Sequence, residues 1–555
     1  MLGAGLSLKL ARRARRLSDS AYWTSHTARI QARQLRRLLS VAKDTQFGRA
    51  HDFARIARTT DDAAMIDAYR AAVPLADWYA FKDPLERMRL QGERDVLWPG
   101  LVRDFCQTSG TTAGDKFIPV SSWMLRSNHA AAMDIFANLI RRDVSIARLF
   151  CGKCLFLGGS SAVSTNEHGV RTGDLSGLVT GLIRWPLTEI YSPGPDIALM
   201  DDWPRKIEAM AQLAIRQDIR MISGMPSWAH VLMDRVLELA RQRAPTQGQD
   251  GSCIRRVWPN LELFVHGGVR YEPFESRMRE VYSGSATGDD FPHRLELYPA
   301  SEGFIAMQDA RWDSAPSGRS PPLRLNTDIG LFYEFVPLES IDDPDAPAFT
   351  CDRVEPGVRY VVVLTTCAGL WRYILGDVVE FDSCPNGLDG SSGWSDGGGP
   401  GGPSRLRIVG RHRHFINAFG ENLIVEHIET AAAHAARAVG VVIGEFTAAP
   451  VYPSADRRAG LELAVEIKGG LPDAASHASF PNAFDDALKS QNVDYTTKRG
   501  ADMGMAPPTI TTLEPGAFHR WLDARGKLGG QHKCPRCANT REILEAVVGV
   551  DRDGD

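Results

Sequence analysis

Short apolar runs of strand length recur along the chain and alternate with stretches of helical period. Residues 154–157, 261–265, 331–336, 360–365 and 461–467 are rich in Val, Ile, Leu and Phe, and several stop at Gly or Pro. That pattern predicts strands. Residues 207–216, 227–241 and 426–438 place apolar side chains three and four apart, which predicts amphipathic helices. The alternation predicts a mixed α/β fold. Residues 386–404 (NGLDGSSGWSDGGGPGGPS) hold too few apolar side chains to build a core. Their strand-like flanks predict a flexible Gly-rich loop inside a hairpin, not a domain linker. No repeat of fixed period is visible. A boundary is expected at 410–417, where Arg411, His412, Arg413 and His414 precede a new helical stretch.

Composition narrows the class. With 43% hydrophobic and 24% charged residues the 555-residue chain is not disordered, and its length allows several domain-sized units. The net charge of −4 offers no bulk case for nucleic acid. The balance is uneven, however: residues 1–58 carry thirteen Lys/Arg against Asp19, Asp44 and Asp52. Lys9, Arg12, Arg13, Arg15 and Arg16 fit a transit peptide or membrane-surface helix. A surface helix with Arg stems over apolar neighbours is the plainer expectation, because no long apolar face accompanies them. No run of about 18 apolar residues predicts membrane insertion. Nine thinly spread cysteines point to a reducing, cytoplasmic compartment rather than a disulfide framework.

The most informative segment is Thr108-Ser109-Gly110-Thr111-Thr112-Ala113-Gly114-Asp115-Lys116. Four hydroxyls and two glycines precede a lysine. Small residues let backbone N–H groups approach phosphate oxygens, hydroxyls add donors, and lysine adds a charge. The spacing departs from the GxxxxGK[ST] loop, and Phe117 stands where that loop needs a Mg²⁺-binding hydroxyl. An ordinary Ser/Thr/Gly turn is the alternative.

This segment resembles the first ATP motif of the adenylate-forming superfamily of luciferases and acyl-CoA synthetases. Tyr298-Pro299-Ala300-Ser301-Glu302-Gly303, Trp371-Arg372-Tyr373-Ile374-Leu375-Gly376-Asp377 and Gly410-Arg411-His412-Arg413-His414-Phe415-Ile416-Asn417 resemble its later motifs, in order. Within it, Val73-Pro74-Leu75, Asp95-Val96-Leu97-Trp98-Pro99-Gly100, Asn417-Ala418-Phe419-Gly420-Glu421 and the segment from Lys527 to Arg536 resemble the auxin-conjugating acyl acid–amido synthetase family, especially bacterial members. The likeness runs from about Gln34 to Leu544.

The resemblance implies a large multi-sheet domain, 1–409, and a small mobile α+β domain, 410–555. It implies a two-step reaction: ATP activates a carboxylic acid as an acyl adenylate, and an amine, usually an amino acid, displaces AMP. By motif, Ser109, Gly110, Thr111, Thr112, Gly114 and Lys116 would cradle phosphates. Glu302 would hold Mg²⁺, with Ser301 near the α-phosphate. Tyr298 would stack on adenine, with Gly267 and Gly268 passing along it. Asp377 would accept the ribose hydroxyls, helped by Arg411. Lys533 would enter the site during adenylation and withdraw as the small domain turns. Each has a plain alternative: Glu302 an exposed carboxylate, Tyr298 an interface aromatic, Asp377 a turn residue, Lys533 a solvated loop lysine.

Met225, Trp228 and Val231 are candidates for an apolar acyl wall, although such a stripe is often core. A hydrophobic or aromatic acid is therefore expected. Cys151/Cys154 and Cys534/Cys537 form C-x-x-C pairs, but 380 residues separate them, far beyond zinc-ribbon spacing, so no zinc is expected. A redox couple at Cys534/Cys537 stays open. His412, His414 and His427 make no tidy ligand set, and His532 beside Lys533 could assist amine deprotonation. A monomer is expected. Thiol ligation to coenzyme A or a carrier protein shares the first half-reaction. A non-catalytic ligand-binding protein would be marked by loss of Glu302, Asp377 or Lys533, and all three are present.

Overall fold

In the computed structural model the alternation of apolar runs and helical stretches becomes four sheets flanked by helices. The described residues are 2–108, 116–158, 163–180, 185, 187–200, 202–247, 250–269, 271–310, 320–343, 345–385, 402–412, 415–421, 423–454, 457–467, 470–500, 504–525 and 534–552. The strands begin with Asp104–Thr108 (β1), Lys116–Val120 (β2), Lys153–Phe156 (β3), Ser164–Thr165 (β4), Arg171–Gly173 (β5), Tyr191–Ser192 (β6) and Ile219–Ser223 (β7). Leu263–Gly267 (β8), His293–Ala300 (β9), Gly303–Gln308 (β10), Leu323–Leu325 (β11), Phe332–Pro337 (β12), Arg359–Thr365 (β13) and Tyr373–Ser383 (β14) follow. The last are Arg405–Arg411 (β15), Phe415–Ile416 (β16), Leu423–Ile424 (β17), Ile443–Val451 (β18), Gly460–Ile467 (β19) and Thr509–Leu513 (β20).

The largest sheet runs β12-β13-β14-β15-β11-β10-β9-β8-β7-β3-β6. From β6 to β9 every neighbour is parallel; from β9 to β12 every neighbour is antiparallel. The parallel half is buried on both faces, which is why its strands read as unbroken apolar runs. Helices Trp203–Ala214 and Pro226–Gln247 cover it, packing Ile207, Met210, Leu232 and Val236 with Leu155, Ile222 and Phe264. A second sheet, β2-β1-β5-β4, stands beside it.

The basic N-terminal segment is built into this body. Helix Leu2–Ser18 buries Leu10, Ala14 and Leu17. Arg13 reaches both Asp134 (Nε–Oδ1 2.7 Å) and Asp328 (Nη1–Oδ2 2.6 Å). Arg324 donates to the Leu17 carbonyl at 2.7 Å, and Gln31 to the Thr327 carbonyl at 2.6 Å. Gln31 also accepts from the Tyr333 N–H at 2.9 Å. Within the arginine cluster, Arg13 thus anchors the helix to the body.

Several of the quoted motifs meet behind β14. Trp371, fully buried, lies 4.7 Å from Phe53, 6.1 Å from Phe47 and 6.2 Å from Trp98 between ring centres. Its indole N–H donates to the Leu97 carbonyl at 3.2 Å. Arg372 adopts φ +45°, a conformation costly for a side-chain-bearing residue. It is held there by Glu334 (3.0 Å) and the Val73 carbonyl (2.9 Å). These contacts fix the strand that ends at the candidate site.

β14 and β15 form a hairpin with Asp377 opposite Arg411 and Ser383 opposite Arg405. The connecting 386–401 lie outside the described residues. Gly410 and Arg411 remain in the large sheet, two residues past the boundary expected at 409. Beyond them, β18-β19-β20 form a small sheet packed by helices Val425–Val439 and Ala474–Gln491. Residues 536–538 run along β18: the Ala448 N–H donates to the Arg536 carbonyl at 2.9 Å, and the Ala538 N–H to the Ala448 carbonyl at 3.0 Å. Among the described residues no helix is long and apolar enough to cross a membrane.

Candidate active site

A cavity of about 1620 Å³ opens at the carboxyl ends of the parallel strands and the β9–β10 turn. In α/β sheets that is where ligands bind, and the volume exceeds the usual 300–1,000 Å³ of one small-molecule pocket. It therefore has room for two substrates.

The β9–β10 turn presents Tyr298, Ser301 and Glu302, all lining the cavity. Tyr298 is buried and its hydroxyl donates to Asp377 Oδ2 at 2.5 Å. Arg411 donates from Nε to Asp377 Oδ1 at 2.6 Å, across the hairpin register. One carboxylate is thus oriented from two sides. Burial, and then Asp377, push the Tyr298 phenol well above its ordinary value, so it stays a donor.

Glu302 is 8% exposed. Burial pushes its carboxyl up, opposed by its own backbone N–H, Lys116 and Arg411. Lys116, facing Thr108 across the base of the β1–β2 hairpin, is pushed down by burial and pulled back up by Glu302. The Tyr373 hydroxyl also faces Glu302. A buried carboxylate with cations around it, at the foot of a hairpin, is a site for anionic ligands balanced by cations.

Gly267 and Gly268 line the same wall. A Cβ at Gly267 would strike the Leu297 carbonyl, and one at Gly268 (φ +83°) would meet Met225 Sδ at 3.0 Å. This backbone packs so close to its neighbours only because it carries no side chains. Met225 and Trp228 line the far end. Val231 does not: it packs against the core beneath. It sits three residues further along the helix, whose 1.5 Å rise per residue carries it away from the opening.

Ser109, Gly110, Thr111, Thr112, Gly114 and Lys533 lie outside the described residues, as do His414 and His532. Cys534 and Cys537 are buried, and burial pushes both thiols up to about 12. Cys154 is buried in β3 and Cys151 exposed. Among the described residues no His, Cys, Asp or Glu cluster is arranged to hold a metal ion by itself.

Other residues enter the site without a sequence signal. Cys106 Sγ donates to Ser301 Oγ at 3.4 Å, and burial pushes its thiol up to about 12. Asp174, whose Oδ1 accepts from the Ser176 N–H at 2.7 Å, and Lys498 both line the cavity. No motif marks them, because each comes from a separate stretch of chain.

Lys206 supports the floor. Its ammonium donates to the Ala198 carbonyl at 2.7 Å and the Gly158 carbonyl at 3.1 Å, and burial pushes it down to about 8 from 10.5. Between those pH values the folded lysine is neutral while the unfolded one is charged, so stability rises with pH there. The stability gap between wild type and Lys206→Met is expected to move in favour of wild type from pH 8 to 10.5. Urea titrations at several pH values measure this, and a gap independent of pH would contradict it.

The chain has the mixed α/β fold of the acyl acid amido synthetases, a large multi-sheet part followed by a C-terminal part. GH3.15 acyl acid amido synthetase superposes with a TM-score of 0.56 at 17% identity, over 96% of this chain and 95% of that one. Residues 16–287, 325–388 and 426–542 match the GH3 family N-terminal, central and C-terminal domains. The chain belongs to the GH3 family. Indole-3-acetic acid-amido synthetase GH3.3 of Arabidopsis thaliana is 25% identical over 339 residues, 58% of this chain and 51% of that protein. Probable indole-3-acetic acid-amido synthetase GH3.9 of Oryza sativa subsp. japonica is 26% identical over 319 residues, 54% and 65%. The chain thus spans about half to two thirds of these relatives' length.

Proposed function

We propose that the chain is an ATP-dependent acyl acid–amido synthetase, activating a carboxylic acid as its acyl adenylate and passing the acyl group to the amine of an amino acid. The observation that carries this is one cavity whose rim gathers Lys116, Ser301, Glu302, Asp377 and Arg411, and whose far wall is Met225 and Trp228. The indole-3-acetic acid-amido synthetases among the GH3 relatives support the same choice.

A carboxylate does not acylate an amine at neutral pH, so it must first acquire a leaving group. Asp377, held by Tyr298 and Arg411, presents its remaining lone pairs to the vicinal diol of a ribose. The bare Gly267-Gly268 backbone lies along the base, with Tyr298 on its other side. Lys116 neutralises phosphate oxygens, and Ser301 stands by the α-phosphorus as the acid's carboxylate attacks and pyrophosphate leaves. Negative charge spreads over phosphoryl oxygens in that step, and preorganised cations lower its barrier. Glu302 fits Mg²⁺: a hard cation bound chiefly to phosphates commonly takes one or two protein carboxylates, and Glu302 is a buried carboxylate beside the lysine. Bound there, Mg²⁺ would neutralise phosphate charge.

We assign Lys533 to the attacking carboxylate and the α-phosphate, with withdrawal for amide formation as the C-terminal part turns about the segment that follows Arg411. The free state of all nine cysteines accords with a reducing cytoplasm. Carboxylate-dependent ATP–pyrophosphate exchange across a broad acid panel tests the proposal, and no exchange with any acid would overturn it. Mass detection of an amide, and not a thioester, then fixes the acceptor class.

A further inference from the structure

Lys498 is the unexplained cation of the cavity. It lies on helix Val493–Arg499 and is 3% exposed, yet lines the cavity wall. Its ammonium sits over the face of Trp228 at 4.2 Å and of Trp203 at 5.8 Å. Among the described residues no hydrogen bond or ion pair reaches it. The two arginines on the wall are occupied, Arg411 by Asp377 and Arg407 by Asp382, and Lys116 stands beside Glu302.

The position is held firmly. Arg499 makes a two-pronged pair with Asp485 at 2.8 Å on each arm, and Tyr495 donates to the same carboxylate at 2.7 Å. These clamp the helix one residue from Lys498. On the other side Gly420, at φ +87°, keeps its face bare: a Cβ there would strike Met225 Cε and come within 3.5 Å of Lys498 Cε. Asp174, Glu421 and Asp494 lie near enough to favour the charged form, against burial, which pushes the ammonium down. Lys206 is the neighbouring like charge. Glu421 is turned inward, its oxygens accepting the N–H groups of Phe419 (2.6 Å) and Ala418 (3.2 Å). Indole faces stabilise a cation but satisfy none of its three N–H donors. A buried ammonium left in that condition is costly unless a ligand completes it.

We infer that Lys498 binds a carboxylate of the substrate other than the one that is adenylated, against the Trp203–Trp228–Met225 wall. This rests on the ligase reading and deepens it. The group is either a distal carboxylate of the acid or the α-carboxylate of the acceptor amino acid, and the same chemistry serves both. The expected apolar acyl pocket thereby becomes an apolar wall with one fixed positive charge.

Matched substrate pairs on the full chain test this. One pair is an aryl acid with and without a second carboxylate, followed by pyrophosphate exchange. The other is an α-amino acid and the amine lacking its carboxylate, followed by amide formation. Lys498→Met keeps the stem between the indoles and removes the charge. It is expected to raise KM about ten- to hundredfold for the carboxylate-bearing member of one pair, and little for its counterpart. Lys498→Arg should restore most of the loss. A shift in the exchange arm assigns the carboxylate to the acid; a shift in the amide arm assigns it to the acceptor. Lys498→Gln serves as the neutral variant if Met at this position prevents folding. Equal losses for both members of each pair, or no loss at all, would overturn the inference. Wild-type exchange with no acid at all is a separate result, which overturns the ligase reading and this inference with it.

Discussion

Glu302→Gln is expected to lower carboxylate-dependent pyrophosphate exchange by about 10²–10³-fold, the scale for losing one preorganised electrostatic partner. The substitution keeps the size of the side chain and a group to face Tyr373, so the fold should survive. What it removes is the negative charge beside Lys116 and Arg411, and with it the carboxylate suited to a hard cation. The pH profile supplies a second reading of the same residue. Burial pushes the Glu302 carboxyl above the ordinary range, so wild-type exchange should fall on the acid side at a pH above that expected of an exposed glutamate. The limb should be absent from whatever activity Glu302→Gln retains. Undiminished exchange in the variant would remove Glu302 from the reaction.

Asp309→Ala is expected to cost about 3–5 kcal/mol of stability at neutral pH, because it strips a shared anion from buried cations. Asp309 is 4% exposed and sits between Arg405 at 2.8 and 2.9 Å, Arg324 at 3.6 Å and Arg141 at 3.7 Å. Burial pushes its carboxyl up, but Arg405, Arg324 and Arg141 outweigh it and hold it well below the carboxylate range. A depressed folded pKa contributes stability that is present above the unfolded value, about 3.9, and lost as pH falls below it. The gap between wild type and Asp309→Ala in denaturant titrations should therefore be full at pH 7 and shrink below pH ~4. A gap under about 1 kcal/mol at pH 7 would show that the arginines find other partners. Arg405 opens β15 and Arg324 lies in β11, so the damage should spread into the hairpin that carries Asp377.

The parts of the site legible in the sequence are those made by one short stretch of chain. Tyr298, Ser301 and Glu302 share a single turn, so their spacing already carried the geometry. Asp377 and Arg411 were readable as two motifs on the arms of an expected hairpin, but the register that sets them opposite each other was not, since the Gly-rich stretch 386–404 carries no pattern that fixes it. The strands at 154–157, 360–365 and 461–467 came through because buried strands have unbroken apolar runs. Lys498 was invisible for the opposite reason: in Tyr495-Thr496-Thr497-Lys498-Arg499 it looks like any solvated helix charge. Only the packing of that helix against Trp203 and Trp228 turns it inward. Val231 misled because helical period assigns a face but not a depth.

The stitching of the N-terminal helices to the far side of the large sheet has a bearing on synthesis. Arg13 waits for Asp328, and Gln31 for Thr327 and Tyr333, partners made about three hundred residues later. At roughly 5–20 residues per second a ribosome takes about 15–60 s to supply them. The apolar side of the same helices is served sooner, because Ala14, Leu17 and Trp23 pack with Ala137 and Ile140 of the helix Ser122–Arg141, so burial of the N-terminus precedes the polar stitches that lock it.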